Sequence, residues 1–241
     1  MAMDRSGIMN GSRPNQPGGE AYRTPMIPVA NLKHQGKYAG APSAQGLPLA
    51  LHHVIPWEVL WNFWNAMVRR KYYGAARDYL SLFGFAKART KAWTDAMARG
   101  AFDDPSVGGI ETNMCWWEWN LVRGPEHRTQ ASLGDTSSGT DPGAELDDMH
   151  FGAGKDGPRI KGLIAIGHVM KAQTRLLANS GSVAENVLSN TIRSWTATAR
   201  AKIVEFEPAM WQVETKSPAF TQPGNHASPI HPRWNKVTRE P

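Results

Sequence analysis

The stretch LALHHVIP, residues 49–56, ends an apolar run with two adjacent histidines and then a proline. Neighbouring side chains of an extended segment point to opposite faces. His52 and His53 should therefore divide between the two sides of a strand, one inward and one outward, unless the backbone turns there and both line a site. Pro56 ends the strand and suits the first turn of a helix.

Working outward, the pattern after Pro56 is helical. Trp57, Leu60, Trp61, Trp64 and Met67 recur at three- and four-residue spacing, which is the stripe of a buried helix face. The basic run RRKYY, 69–73, follows, and one or two further helices end at Gly100. IETNMCWWEWNLV, 110–122, is aromatic and partly alternating, so a strand is expected there. Two helices close the domain. The first spans about 161–179 and contains His168, expected as a hydrogen-bonded core residue. In the second, Ser182 and Glu185 have the spacing of a capping box, and apolar positions run on to Ile203.

On either side of this body the composition changes. Residues 1–47, rich in Gly, Pro, Asn and Gln, are expected as an extended arm or linker. The body spans 48–215, and 216–241 is an irregular Pro-rich tail. The fold class expected is α+β and mainly helical, with a small two-stranded element, a helical insertion between its strands and a C-terminal helical pair.

Bulk composition narrows the function classes. With 41% hydrophobic and 20% charged residues, the chain is globular rather than disordered. Ten tryptophans demand extensive aromatic burial or an aromatic binding surface. A net charge of +6 favours polyanionic partners. The single cysteine, Cys115, rules out an intrachain disulfide. No apolar run approaches the ~20 residues of a membrane span, and the first residues lack the apolar core of a secretory signal.

Phosphodiester cleavage needs an activated water, stabilised charge on the phosphate, and help for the leaving oxygen. A neutral imidazole can activate the water, because its proton exchanges near neutral pH. A divalent cation can supply the other two. LHHVIP, 51–56, resembles the first motif of the HNH, or ββα-metal (His-Me finger), endonucleases, and the likeness implies His52 as metal ligand and His53 as general base. WNLVRGPEHR, 119–128, followed by DPG, 141–143, is similar to C-terminal toxin domains of polymorphic bacterial effectors of the Rhs and type VI secretion kind. This implies a ββα-metal element in which Asn120 either ligates the cation or braces the loop bearing the histidines, and in which Arg128 holds a phosphate. Mg²⁺ is the default ion, while histidine ligation also admits Zn²⁺, Mn²⁺ or Ni²⁺. His127, His150, Asp147 and Asp148 are further candidate ligands.

The resemblance further implies DNA as substrate, a cognate immunity protein as partner, secretion without a classical signal, and action in the cytoplasm of a target cell. In compact relatives the histidine and asparagine lie about 15–25 residues apart; here positions 53 and 120 are separated by the helical insertion. Two rivals stand beside this reading. One is a non-catalytic nucleic-acid- or protein-binding module of a secretion or phage apparatus, with the histidines structural. The other is an RNase on the same scaffold.

Overall fold

The computed structural model describes residues 3–23, 26–27, 47–103, 109–125, 155–179, 183–200, 202–205, 212–213 and 234–235. Among these the fold is mainly helical with a small antiparallel sheet, as the composition and periodicity lead one to expect. Strand β1, Met26–Ile27, pairs with β2, Leu47–His53, which pairs with β3, Leu121–Pro125. Helices α1, Trp57–Arg69, α2, Tyr73–Ser81, and α3, Lys87–Ala98, form the insertion, and α4, Gly109–Trp116, leads back to β3. Helices α5, Gly157–Ala178, and α6, Glu185–Ser194, follow, and the two-residue strands β4, Gln212–Val213, and β5, Trp234–Asn235, pair with each other.

Helix α1 is the centre of the core. Trp57, Leu60, Trp64 and Met67 are buried, and Trp61 is half-buried against the core, so the tryptophan stripe is packing rather than an exposed stacking platform. Phe63 meets Tyr79 of α2 edge-to-face at 5.2 Å between ring centroids, and Tyr79 meets Phe83 in the same way at 5.1 Å. Such edge-to-face pairs align a positive ring edge with a negative face.

The stretch expected as an arm is extended but not detached. Over 3–23, Met3 and Met9 enter the core, and the buried polar groups of α1 satisfy themselves on this segment's backbone. The Trp64 indole N–H donates to Gly7 O at 2.7 Å. Asn65 takes the Met9 N–H and donates to Met9 O, both at 2.8 Å. A buried indole or amide needs such partners, because an unmet donor costs about 1–3 kcal/mol.

The strand expected over 110–122 is mostly helix. Ile110, Met114 and Cys115 lie on one buried side of α4, a helical spacing that the run of aromatics disguised. A short 3-10 turn, Glu118–Asn120, follows, and only from Leu121 is the chain a strand. Here Gly84 has φ +73, and the Trp117 ring lies where a Cβ would stand, 2.6 Å away.

Helix α6 also departs from expectation. Its N-cap is Ala184 with no side-chain capping bond. The Glu185 carboxylate instead accepts the N–H groups of Gly74 and Ala75, at 2.6 and 3.2 Å. It therefore caps α2, where a negative charge meets unpaired N–H groups. The helix stops at Ser194 and gives way to a turn and the 3-10 segment Thr198–Arg200. His168, expected in the core, is exposed on α5. In RRKYY, Arg70 donates to Leu177 O and Tyr72 to Val183 O, so two of its side chains fasten α1 to the C-terminal helices.

Asn65→Ala strands the Met9 N–H and C=O in the core. It should lower stability by about 2–3 kcal/mol, a fall in Tm of roughly 4–12 °C for a chain of this size, read by thermal unfolding.

Candidate functional site at the histidine corner

The candidate site is built on the β2–β3 pair. In its register Leu51 faces Arg123, His52 faces Val122 and His53 faces Leu121. The expectation that one histidine faces inward and the other outward fails, for His52 is 6% exposed and His53 0%. Both faces of the pair are covered. Leu121, Val122 and Arg123 are buried as well. The outer edge of β3 is closed by Val204, whose C=O accepts the Arg123 N–H and whose N–H donates to Leu121 O. With no solvent face, the alternation of a half-buried strand does not apply.

Asn120 sits at the end of the 3-10 turn, fully buried. Its Oδ1 accepts the Ile55 N–H at 2.7 Å, and its Nδ2 donates to Ile55 O at 2.8 Å. Its own C=O accepts the Val54 N–H at 2.9 Å. The side chain thus continues the hydrogen-bond ladder one step beyond the strand and holds the turn after the histidines. Of the two roles open to it, the bracing one is what these contacts describe. Trp119 seats the turn, its indole N–H on Leu82 O at 3.0 Å and its ring 5.5 Å from Phe83. Arg159 of α5 donates to Trp119 O at 3.1 Å and to Lys202 O at 2.6 Å.

His53 is engaged on both ring nitrogens. Nε2 lies 2.7 Å from Cys115 O and 3.5 Å from Cys115 Sγ. Nδ1 lies 3.2 Å from Arg13 Nη2. A carbonyl only accepts and a guanidinium only donates, so these partners place the proton on Nε2 and the lone pair on Nδ1. The ring also leans on Trp116, with centroids 5.0 Å apart, and the Arg13 guanidinium lies over the same indole at 4.8 Å, a cation–π contact.

The structure therefore brings His52, His53 and Asn120 to one corner. Arg128, His127, Asp141, Asp147, Asp148 and His150 lie outside the described residues. The partners Arg13, Cys115 and Trp116 had no signal in the sequence: the arginine comes forty positions earlier, in a Gly/Pro-rich stretch that shows no periodicity. No protein-family model matches the chain, and no curated protein or solved structure does either.

Among the described residues, no group of three or more His, Cys, Asp or Glu is placed to hold a metal ion. Of the ligands that the sequence resemblance implies, His52 and Asn120 are described, and the further candidates His127, Asp147, Asp148 and His150 lie outside the described residues.

Glu111, on α4 one turn before Cys115, is buried with its Oε1 unpartnered. Burial pushes its carboxyl above the ordinary range. The folded state then binds this proton more tightly than the unfolded one, so its contribution to stability declines as pH rises from the ordinary glutamate value through the raised one. Glu111→Gln should leave Tm close to the parent's at pH 4 and exceed it increasingly toward pH 7, by differential scanning calorimetry. Asn120→Ala should cost about 2–3 kcal/mol by orphaning the Ile55 amide groups. Asn120→Asp should cost more, about 3–5 kcal/mol, because it buries a charge facing the Ile55 carbonyl; denaturant midpoints compare the two.

Proposed function

We propose that this chain is an endonuclease that hydrolyses DNA phosphodiester bonds, and that it serves as an antibacterial effector toxin. The observation supporting this reading is the clamp of Asn120 on Ile55. It ties the end of a strand bearing paired histidines to a second, antiparallel strand, across a long helical insertion. In this reading that strand pair serves as the strand pair of the ββα-metal element that LHHVIP and WNLVRGPEHR resemble, with Asn120 just before the second strand rather than at its end.

In this reading His53 is the general base. Its Nδ1 takes a proton from water. The water oxygen bonds to phosphorus, the bond from phosphorus to the leaving oxygen breaks, and that oxygen takes a proton from solvent. Arg128 holds the phosphate, and His52 stands as the candidate ligand of a divalent cation, Mg²⁺ by default and Zn²⁺, Mn²⁺ or Ni²⁺ as alternatives. The described residues alone do not complete a cation site. The basic charge suits a polyanionic substrate. An immunity protein in the producing cell, export without a classical signal and action in the target cytoplasm belong to the same proposal. No helix of the described residues is long and apolar enough to cross a membrane.

A second reading rests on a specific observation: His53 is fully buried and bonded at both nitrogens, as a structural histidine would be. The chain is then a non-catalytic binding module. Plasmid and RNA degradation by the purified protein, with and without chelator, tests both. The parent should nick plasmid DNA faster than it degrades RNA, chelator should abolish the nicking, and His53→Ala should slow it at least about 100-fold, the scale of a lost general base. A His53→Ala protein that cleaves as fast as the parent removes the base assignment. A folded parent with no cleavage at all leaves the binding-module reading.

A further inference from the structure

We propose that residues 10–16 form a movable strap that closes the histidine corner, with Arg13 as its latch. What covers His53 is thin. The ring is fully buried, yet Asn10, Ser12, Arg13, Asn15 and Gln16 of the covering segment are themselves exposed. Solvent therefore lies one side chain away from the ring.

The segment is anchored at both ends and only lightly between them. On one side Met3 and Met9 are in the core, and Trp64 and Asn65 hold the backbone of Gly7 and Met9. On the other, Arg123 reaches from β3 to Ala21 O at 2.8 Å and to Arg23 O. Between the anchors the segment buries no side chain. It is held by the Trp57 indole on Gly11 O at 3.1 Å, the Trp116 indole on Pro14 O at 2.9 Å, the exposed Gln16 amide on Tyr22 O at 2.9 Å, and Arg13. A segment with few buried apolar contacts opens at low cost while its surroundings stay folded. At the near end Gly11 has φ +83 and lies so close to Trp61 that a Cβ would stand 2.7 Å from the ring, so the turn there needs glycine.

Arg13 closes the one ring nitrogen with a lone pair, because Nε2 is committed to Cys115 O. A phosphate anion offers a guanidinium a charge-assisted, two-pronged bond in place of one bond to a neutral ring nitrogen. An arriving phosphodiester therefore draws Arg13 off His53 and frees the ring. This use of the strap rests on the nuclease reading. The strap itself does not.

Carbethoxylation by diethyl pyrocarbonate needs a ring nitrogen with an accessible lone pair, so it reports opening without any need for catalysis. His53 in the full-length parent should react far more slowly than exposed His168, with the sites resolved by peptide mass spectrometry. Arg13→Ala should raise the His53 rate about tenfold, the scale of one lost charge-assisted bond, with His168 reactivity unchanged and Tm lower by only about 3–6 °C, the fall that the same lost bond produces. Arg13→Lys, with a less well matched donor, should fall between. A His53 rate in Arg13→Ala equal to the parent's, or a rise that comes with a Tm fall well beyond about 6 °C and so reports global unfolding, overturns the strap. Absence of plasmid cleavage by the parent overturns the nuclease reading and leaves the labelling result to decide the strap.

Discussion

Ile55 follows the paired histidines by two positions, and its side chain is fully buried. Its N–H and C=O lie beyond the last rung of the β2–β3 ladder. Buried backbone groups without partners are costly, and the Asn120 amide supplies both an acceptor and a donor at one stroke. The position of the histidines depends on this contact. It fixes where β2 ends, it ties the turn before α1 to the turn before β3, and it holds together two parts of the chain that the helical insertion would otherwise separate.

The same demand shapes the N-terminal segment. Tryptophan has a large apolar ring with one donor that must be met when the ring is buried. Trp57, Trp64 and Trp116 each meet it on a carbonyl of residues 7–14, and Asn65 adds a two-way bond to Met9. A Gly- and Pro-rich stretch with no helical pattern of its own thus becomes part of the body, because its free carbonyls serve the indoles of α1 and α4. The cover over His53 is a consequence of this arrangement. The carbonyls of Gly11 and Pro14 bring Arg13 to the imidazole between them.

Charge is handled in the same economical way around the helices. Glu185 lies in the first turn of α6 but spends its carboxylate on the N-terminus of α2, while Arg70 and Arg159 each reach backbone carbonyls of distant segments. Several charged residues that might have formed a binding face are therefore structural ties. The expectation of a polyanionic partner therefore rests on the net charge of +6 rather than on the RRKYY run as a unit.

Helix α1, the strand before it, the break at Pro56 and the burial of the tryptophans were legible in the sequence, because local periodicity and proline stereochemistry act over a few residues. The resemblance groups His52, His53 and Asn120, and the fold sets Asn120 against the turn that follows the histidines. What the sequence could not carry were interactions whose two members share no local pattern. The aromatic content of 110–122 favours a strand and hides the helical spacing of Ile110, Met114 and Cys115 in α4. His53 is covered by Arg13, and the edge of β3 is closed by Val204, each from far along the chain. Asn120 is a brace, Arg13 is the partner of His53 and Glu185 caps a different helix for the same reason. A hydrogen bond is directional and short, and only the folded path of the backbone decides which donors come within reach of which acceptors.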